Sequence, residues 1–285
     1  MPTARSPRAW WCRTRLAADI YHHRRPVTPR PEHLAGLAAS STHTSGLRDQ
    51  GSHPDYAGRI LADPGHVWTR AEQIELAMTF GPPLTAPGVQ FSYSDTGYVV
   101  IGELIENITG LPLATAVRTL LDFDRLGLTR TFWEKVEPAP EGLARAGQYF
   151  GDLPVARIEP SADLFGGGGL VSTTEDLVRF LRALLRGGLF AYPETLAAGL
   201  MTPAVSIGDA SHIHSALLRS KVIGGRPCWS HGGFWGVQVV HFADADVTLA
   251  LSYNQVKCDA QTSGEIGRDG LVDRLARITL TGRSG

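Results

Sequence analysis

The sequence has few of the residues that staple small folds or span membranes. Its 285 residues include only three cysteines, Cys12, Cys228 and Cys258, and no run of about 18 apolar residues. The cysteines form no Cys-x-x-Cys pair and an odd number cannot all pair, so neither a disulfide scaffold nor a zinc ribbon is expected. No membrane-spanning segment is expected either.

Charge of one sign is not in excess. Lys and Arg number 27 and Asp and Glu 28, a formal net charge of −1, which gives no reason to expect nucleic acid as a partner. Residues 1–30 carry seven Arg against one acid, but no apolar stretch of about 7–15 residues follows them. As written, the chain has no signal peptide and is expected to be soluble and cytoplasmic, although its compartment stays open.

Metal and cofactor signals are also lacking. The ten histidines form no His-Glu-x-x-His, and we interpret His22-His23 and His212-x-His214 as surface loops. The glycines 166–169 precede a predicted helix, but no Gly-Lys-Ser/Thr follows them, so we interpret them as backbone that passes close to another segment. No metal site and no cofactor are expected.

Helical periodicity dominates the first half of the chain. The capping box Thr69–Glu72 starts one predicted helix, and a second begins with Asp95 at the N-cap position and ends at Gly110. The apolar positions of the second helix are Tyr98, Ile101, Ile105 and Ile108. Further helices are predicted over Leu113–Leu121, after a capping box at Ser172–Glu175 with the stripe Leu177, Phe180, Leu181, Leu184 and Leu185, and around Leu271, Leu275 and Ile278.

After Pro203 the pattern alternates, which is typical of strands. The predicted strands are Ala216–Ile223, Arg226–His231, Gly236–Phe242 and Val247–Tyr253. In the last of these Val247, Leu249 and Leu251 share one face. Short turns join the strands, so neighbours must be antiparallel, and the fold class is α+β.

Three segments could carry chemistry. In Phe91–Tyr98 a tyrosine, Tyr93, lies just ahead of a helix start, where the helix dipole favours phenolate; taken alone it could equally pack under the turn. In Ser230–Gly236 a histidine, His231, ends a strand before two glycines, as a possible acid, base or anion partner or as a solvent-facing turn residue. The turn Thr42–Leu47 could simply bond its own backbone.

The order of these segments resembles a known family. Thr-His-Thr-Ser-Gly-Leu at 42–47, Phe-Ser-Tyr-Ser-Asp-Thr-Gly-Tyr at 91–98, Leu-Gly-Leu-Thr-Arg-Thr-Phe-Trp at 126–133, the glycines at 166–169 with their helix, and Ser-His-Gly-Gly-Phe-Trp-Gly at 230–236 follow one another. Over roughly 42–278 this resembles the serine β-lactamase-like family of class C β-lactamases, penicillin-binding D-Ala-D-Ala peptidases, D-aminopeptidases and esterases.

The resemblance implies roles for particular residues. Tyr93 would be the general base or proton relay, and Asp95 stands where the family more often has Asn. His231-Gly232-Gly233 would occupy the family's Lys-Thr-Gly position, and the backbone N–H of Phe234 would supply half of the oxyanion hole.

The resemblance also implies an organisation. A helical lobe, about 42–165, would pack against an antiparallel sheet lobe with flanking helices, about 166–285, with the active cleft between them. We expect residues 1–41 to form an irregular, Arg-rich segment.

The family's nucleophile motif is absent from the printed residues. It is a Ser-x-x-Lys, whose spacing places the amine one helical turn from the hydroxyl. The three lysines, Lys135, Lys221 and Lys257, have Phe132, Leu218 and Asn254 three positions before them. Arginine cannot replace the lysine, because its guanidinium does not deprotonate near neutral pH. We therefore expect the first strands and the nucleophile helix to be missing from a truncated chain.

Three hypotheses follow for function. The chain is a serine hydrolase of amides or esters represented by a truncated and inactive form, or a degenerate relative, a pseudoenzyme that binds a ligand or partner through the retained cleft. In the third, Ser45 or Ser94 serves as a different nucleophile. The expected partner is a small-molecule or peptide substrate; the oligomeric state stays open.

Overall fold

The computed structural model describes residues 38–201, 203–206, 213–215, 218–255 and 268–281. The chain divides into two units that interleave in sequence. Of the described residues, the first unit contains 38–121, 133–137 and 158–169, and the second contains 122–132, 138–157 and those after 169.

Among its described residues, the first unit contains a short helix at 38–41, four longer helices and a 3-10 turn. The longer helices are α1 (Pro54–Ala62), α2 (Arg70–Thr79), α3 (Asp95–Thr109) and α4 (Leu113–Leu120), and the 3-10 turn is Pro160–Asp163. The predicted capping box of α2 is confirmed, because Thr69 and Glu72 each accept a bond from the other's backbone N–H. Gly110 ends α3 in the left-handed conformation, as predicted.

The buried face of α3 differs from the predicted one. Val99, Val100 and Leu104 are buried, whereas Ile101 and Ile105 are half-buried and Ile108 is exposed. Gly102 sets this orientation, because a β-carbon added there would stand 2.1 Å from the carbonyl oxygen of Phe165. The helix therefore packs most closely where it has no side chain, a feature that apolar periodicity does not show.

An antiparallel sheet dominates the second unit, as predicted. Its six strands follow chain order, so each pairs with the next. They are β5 (Pro203–Ser206), β6 (Ile213–Ser215), β7 (Arg219–Ile223), β8 (Arg226–Gly232), β9 (Val237–Phe242) and β10 (Val247–Ser252). The sequence reading missed β5 and β6, and the predicted start of β7 at 216 lies outside the described residues.

A helix covers each face of this sheet. On one face Leu181 and Leu184 of α6 (Thr174–Leu185) pack with Val239. On the other, Val272 and Ala276 of α8 (Arg268–Thr281) pack with Phe242. The predicted stripe of α6 is confirmed, and so is the shared face of the predicted apolar residues of β10, which join the α8 cluster.

The cap of α6 was misplaced by one residue, and the predicted C-terminal helix, α8, is confirmed but buries a face that its large apolar residues do not form. The α6 N-cap is Thr173, whose hydroxyl accepts from Asp176 N, so the cap lies one residue after the predicted Ser172. In α8, Leu271, Leu275 and Ile278 are exposed, while Val272 and Ala276 are fully buried. The small side chain of Ala276 lets the helix lie close to the sheet, so the buried face is the less hydrophobic one.

Short elements complete the described chain. They are α5 (Phe123–Leu126), α7 (Pro193–Thr195) with a π-helical turn at Leu196–Met201, a 3-10 turn at Val155–Arg157, and the two-residue strands β1 (Phe132–Trp133), β2 (Tyr149–Phe150), β3 (Leu153–Pro154) and β4 (Leu170–Val171). Among the described residues no single helix is long and apolar enough to cross a membrane; α3 and α4 satisfy that test only as a pair bent by 76°.

Candidate functional site

The polar turn 42–47 is fixed by its own hydroxyl groups, one of the two roles weighed for it. Thr42 Oγ1 donates to Ala38 O at 2.8 Å, and Thr44 Oγ1 donates to Ala39 O at 3.3 Å. Backbone bonds then join the turn to the segment before α3, since Ser92 N donates to His43 O at 2.7 Å. Two of the motif segments therefore lie together in the first unit.

Tyr93 and Asp95 form a hydrogen-bonded pair at the start of α3. Tyr93 Oη donates to Asp95 Oδ1 at 2.8 Å, and the Tyr93 side chain is 45% exposed. The predicted N-cap at Asp95 was wrong by one residue: Ser94 caps the helix, with its Oγ accepting from Gly97 N at 3.2 Å. Capping by Ser94 leaves the Asp95 carboxyl group to its neighbour Tyr93.

His43 is a residue of this site that sequence reasoning did not assign. Its Nδ1 accepts from Ser94 N at 3.1 Å, and its ring centroid lies 4.4 Å from that of Tyr93. An accepting Nδ1 leaves the proton of the neutral ring on Nε2. His43 thus fixes the backbone between Tyr93 and Asp95; its place in the Thr-His-Thr-Ser-Gly-Leu motif was the available signal.

A second carboxyl group, Asp49, was also missed. Its Oδ1 accepts from the backbone N–H groups of Asp95 at 3.0 Å and Gly51 at 3.1 Å, and its Oδ2 accepts from the Ser52 hydroxyl. Burial, followed by the charge of Asp49, raises the pKa of Asp95 to about 7, although the hydrogen bond from Tyr93 opposes the rise. Asp95 is therefore a carboxyl group that titrates near neutral pH.

Of the glycines 166–169, Gly166 lies close to other backbone, as interpreted from the sequence, whereas Gly168 and Gly169 lie close to side chains. Gly166 has a φ of +122°, and a β-carbon there would stand 2.3 Å from Tyr98 O. Their place beside α3, in the first unit, explains why side chains are excluded from this loop.

His231 lies on β8 of the second unit, where its Cα pairs with that of Val239 on β9. Desolvation by surrounding protein lowers its pKa below the ordinary 6.5, and the charge of nearby Arg219 lowers it further, even though part of the residue remains exposed. The imidazole is therefore neutral at neutral pH and offers hydrogen bonds rather than charge.

The turn after His231 contributes a backbone N–H group, that of Phe234, rather than a polar side chain. Gly233 N donates to Val237 O at 2.8 Å, and within the described chain no group accepts from the N–H of Phe234. The Phe234 ring is 56% exposed and neighbours the rings of Phe150 and Trp235, with centroids 6.3 and 5.1 Å away. An N–H without an internal acceptor is what an oxyanion donor requires.

The two serines considered as alternative nucleophiles have structural roles. Ser94 is 1% exposed and caps α3, and Ser45 is 7% exposed and its Oγ accepts from Leu47 N at 3.3 Å. Burial keeps either hydroxyl from reaching a substrate carbonyl, which argues against the third hypothesis.

The remaining sequence signals concern thiols and metals. Cys228 is buried and its thiol is free, while Cys12 and Cys258 lie outside the described residues. So do His22, His23 and His212. In the described segments no group of three or more His, Cys, Asp or Glu side chains is arranged to hold a metal ion.

Comparison with known proteins identifies relatives over most of this architecture. The family model described as Beta-lactamase matches residues 41–268, well over half of the chain. The mitochondrial serine beta-lactamase-like protein LACTB of Homo sapiens is 30% identical over 133 residues, 44% of this chain and 24% of that protein. Esterase EstB of Burkholderia gladioli is 27% identical over 257 residues, 74% of this chain and 61% of that one.

The chain spans between about a quarter and three fifths of these curated relatives. Among solved structures, a D-stereospecific amidohydrolase from Streptomyces sp. has a TM-score of 0.68 at 24% identity, covering 84% of this chain and 73% of that one. D-amino acid amidase from Ochrobactrum anthropi SV3 has a TM-score of 0.69 at 22% identity, covering 88% and 75%. At such identities the likeness shows a shared fold.

Proposed function

Because the chain belongs to the Beta-lactamase family, we propose that it binds the acyl group of an amide or ester. In this proposal Tyr93 and Asp95 form the proton-transfer group. His231, Gly232 and Gly233 contact the substrate, and the N–H of Phe234 donates to its carbonyl oxygen. The esterase and the D-amino acid amidase among the similar proteins make esters and D-amino acid amides the first substrates to test.

The hydrogen bond between Tyr93 Oη and Asp95 Oδ1 carries the proposal. It holds an exposed phenol in one orientation at the start of α3. An acid–base group must be both accessible and oriented, and Tyr93 meets both conditions.

His231 and Phe234 support binding of a substrate but do not determine which reaction follows. A neutral His231 can hydrogen-bond an amide or ester without requiring a negative charge on it. The exposed Phe234 ring offers an apolar surface beside the donor N–H, which suits an acyl group with an apolar substituent.

Two forms of the proposal differ in turnover. In the hydrolase form the chain forms an acyl-serine, as the family does. In the binding form it holds the ligand without turnover, which the lack of any Ser-x-x-Lys or Thr-x-x-Lys among the 285 residues favours. We propose the binding form for the chain as printed.

Incubation with a fluorescent penicillin, a fluorophosphonate and a p-nitrophenyl ester tests this proposal. We expect reversible binding of the ester, measured by tryptophan fluorescence, without a mass increase in the intact protein. An adduct mapped to one serine would establish the hydrolase form; the change Tyr93→Phe should then slow labelling by about 10²–10⁴-fold. Tyr192→Phe, at a tyrosine 67% exposed, is the control. If the protein shows no binding and no labelling, both forms of the proposal are wrong.

A further inference from the structure

The hydrogen bond from Tyr93 ends on a carboxyl group that a second carboxyl group approaches. A β-carbon added at Gly51 would stand 3.1 Å from Asp95 Oδ2 and 3.5 Å from Asp49 Oδ1, so the two carboxyl groups converge on the same glycine. Both oxygens of Asp49 already accept hydrogen bonds, from two backbone N–H groups and the Ser52 hydroxyl. The Asp95 carboxyl group has Tyr93 as its one hydrogen-bond donor in the described part of the chain.

The two carboxyl groups are therefore unequal. Asp49 accepts three hydrogen bonds, whereas Asp95 is enclosed by protein and accepts a single hydrogen bond beside a neighbouring carboxyl group. Where two carboxyl groups are this close, the less well solvated one takes up a proton first. That group is Asp95, and it is bonded to the exposed phenol.

We propose that Asp95 is the proton store of this site and that Tyr93 is the relay which fills it. A proton that arrives at Tyr93 Oη from a bound hydroxyl group is balanced by movement of the phenol's own proton to Asp95 Oδ1. The negative charge of the carboxylate thereby passes to the hydroxyl oxygen that gave up its proton. The inference rests on the proposed role of Tyr93.

Because Asp95 is an aspartate, its hydrogen bond with Tyr93 can do more than position the phenol. An asparagine amide at position 95 would also accept the phenol's hydrogen bond, but it could not take up the proton. A phenol alone is a weak store at neutral pH because its ordinary pKa is about 10. The pKa of Asp95, raised to about 7, allows the carboxylate to accept a proton and release it at neutral pH.

Asp49 is then a positioning residue that acts through Asp95. It holds the backbone N–H of Asp95 and places its charge beside the carboxyl group. The groups that face Asp95 electrostatically or neighbour its partner Tyr93 are Asp49, Asp163, Tyr56, Tyr98, Tyr93 and His43. Apart from His43, none of them brings a group that carries positive charge.

Carbon-13 NMR of protein labelled at the aspartate carboxyl carbons tests the inference. We expect one carboxyl signal with a titration midpoint near 7, identified by its loss in Asp95→Asn. Asp49→Asn should lower that midpoint by about 1–3 pH units, since a like charge is removed. Tyr93→Phe should raise it, because the donor to the charged form is lost. Asp152→Asn, at an exposed aspartate, is the control and should leave it unchanged.

A midpoint near the ordinary 3.8 in the unaltered protein would overturn the inference. An unchanged titration midpoint in Tyr93→Phe would also overturn the inference, since the phenol would then be uncoupled from the proton on Asp95. Asp95→Glu keeps a carboxyl group at position 95, so it should show the near-neutral titration midpoint that Asp95→Asn loses. A purely structural role for Asp95 would not require that midpoint. The titration needs neither a bound ester nor turnover, so failure to bind an ester, which refutes the proposed function, is distinguishable from a failed titration, which refutes the proton store at Asp95.

Discussion

Single residues in the first unit hold the site by adopting conformations that most residues avoid. His43 has a φ of +55° and Gly46 a φ of +75°, so the turn 42–47 contains two residues in the left-handed conformation. The His43 ring lies 4.4 Å from that of Tyr93, and Gly46 lies against the backbone of Thr85. The position of the phenol thus depends on a turn far from it in sequence.

Gly46→Ala should destabilise the protein by more than about 2 kcal/mol, measured by chemical denaturation. A β-carbon at this position would stand 2.2 Å from Thr85 O, and the left-handed backbone adds strain. Gly88→Ala is the matched control: Gly88 has a φ of +81° but an added β-carbon would meet no atom within 4 Å. It should cost only the conformational strain of about 1 kcal/mol. Equal losses would show that the close approach does not matter.

The sequence motifs identified Tyr93 and Asp95 and missed Asp49, which contacts Asp95 from a distant part of the sequence. Tyr93 and Asp95 lie in one short motif, so local pattern was sufficient to select them. Asp49 lies 46 residues before Asp95, and only the folded chain shows that its carboxyl group accepts from Asp95 N. Partners of this kind are set by tertiary packing, for which a single sequence carries no period or spacing.

At the scale of elements, polar caps and turns proved easier to predict than buried faces. The α2 capping box was predicted to the residue, because its signal is the spacing of two side chains. The caps of α3 and α6 were each misplaced by one residue, since neighbouring Ser, Thr and Asp side chains can all cap. The face that a helix buries depends on how closely its small residues let it approach.

Helix α8 provides a direct test of that argument. Val272→Ala should cost about 2 kcal/mol, because Val272 is fully buried against the sheet. Ile278→Ala removes a larger side chain of the same helix but should change stability by no more than about 0.5 kcal/mol, since Ile278 is 68% exposed. Urea denaturation of the two variants tests the buried face that the structure shows. A larger loss for Ile278→Ala would mean that α8 buries Ile278 rather than Val272.

At the scale of the whole molecule, the alternating residue pattern of the strands was sufficient to predict the antiparallel sheet. Short turns joined β7 to β10 in one antiparallel series, as their connections require. The strands β5 and β6 lack that signal: they contribute four and three residues to the sheet, with a register shift between Pro203 and Val205. Short, irregular strands such as β5, at the edge of the sheet, and β6, beside it, owe their conformation to the strands they pair with rather than to their own pattern.

The two titrating motif residues should give stability opposite dependences on pH. The folded-state pKa of Asp95, about 7, lies above its ordinary 3.8, so between these values the folded chain keeps a proton that the unfolded chain releases. Stability from this group therefore falls as pH rises through that window, by at most about 4 kcal/mol. His231 acts in the opposite sense: its lowered pKa means that stability is lost as pH falls below 6.5.

The variant Asp95→Asn separates the contributions of Asp95 and His231 to the pH dependence of stability, because it removes that of Asp95 and retains that of His231. Denaturation by urea, followed by circular dichroism at a series of pH values, should show the variant gaining stability relative to the unaltered protein as pH rises from 3.8 to about 7. Below 3.8 the difference should become constant, since the carboxyl group is then neutral in both states. Both proteins should weaken together below 6.5 as His231 is protonated on unfolding. Parallel curves throughout would mean that the Asp95 carboxyl group is as well solvated in the fold as in the unfolded chain.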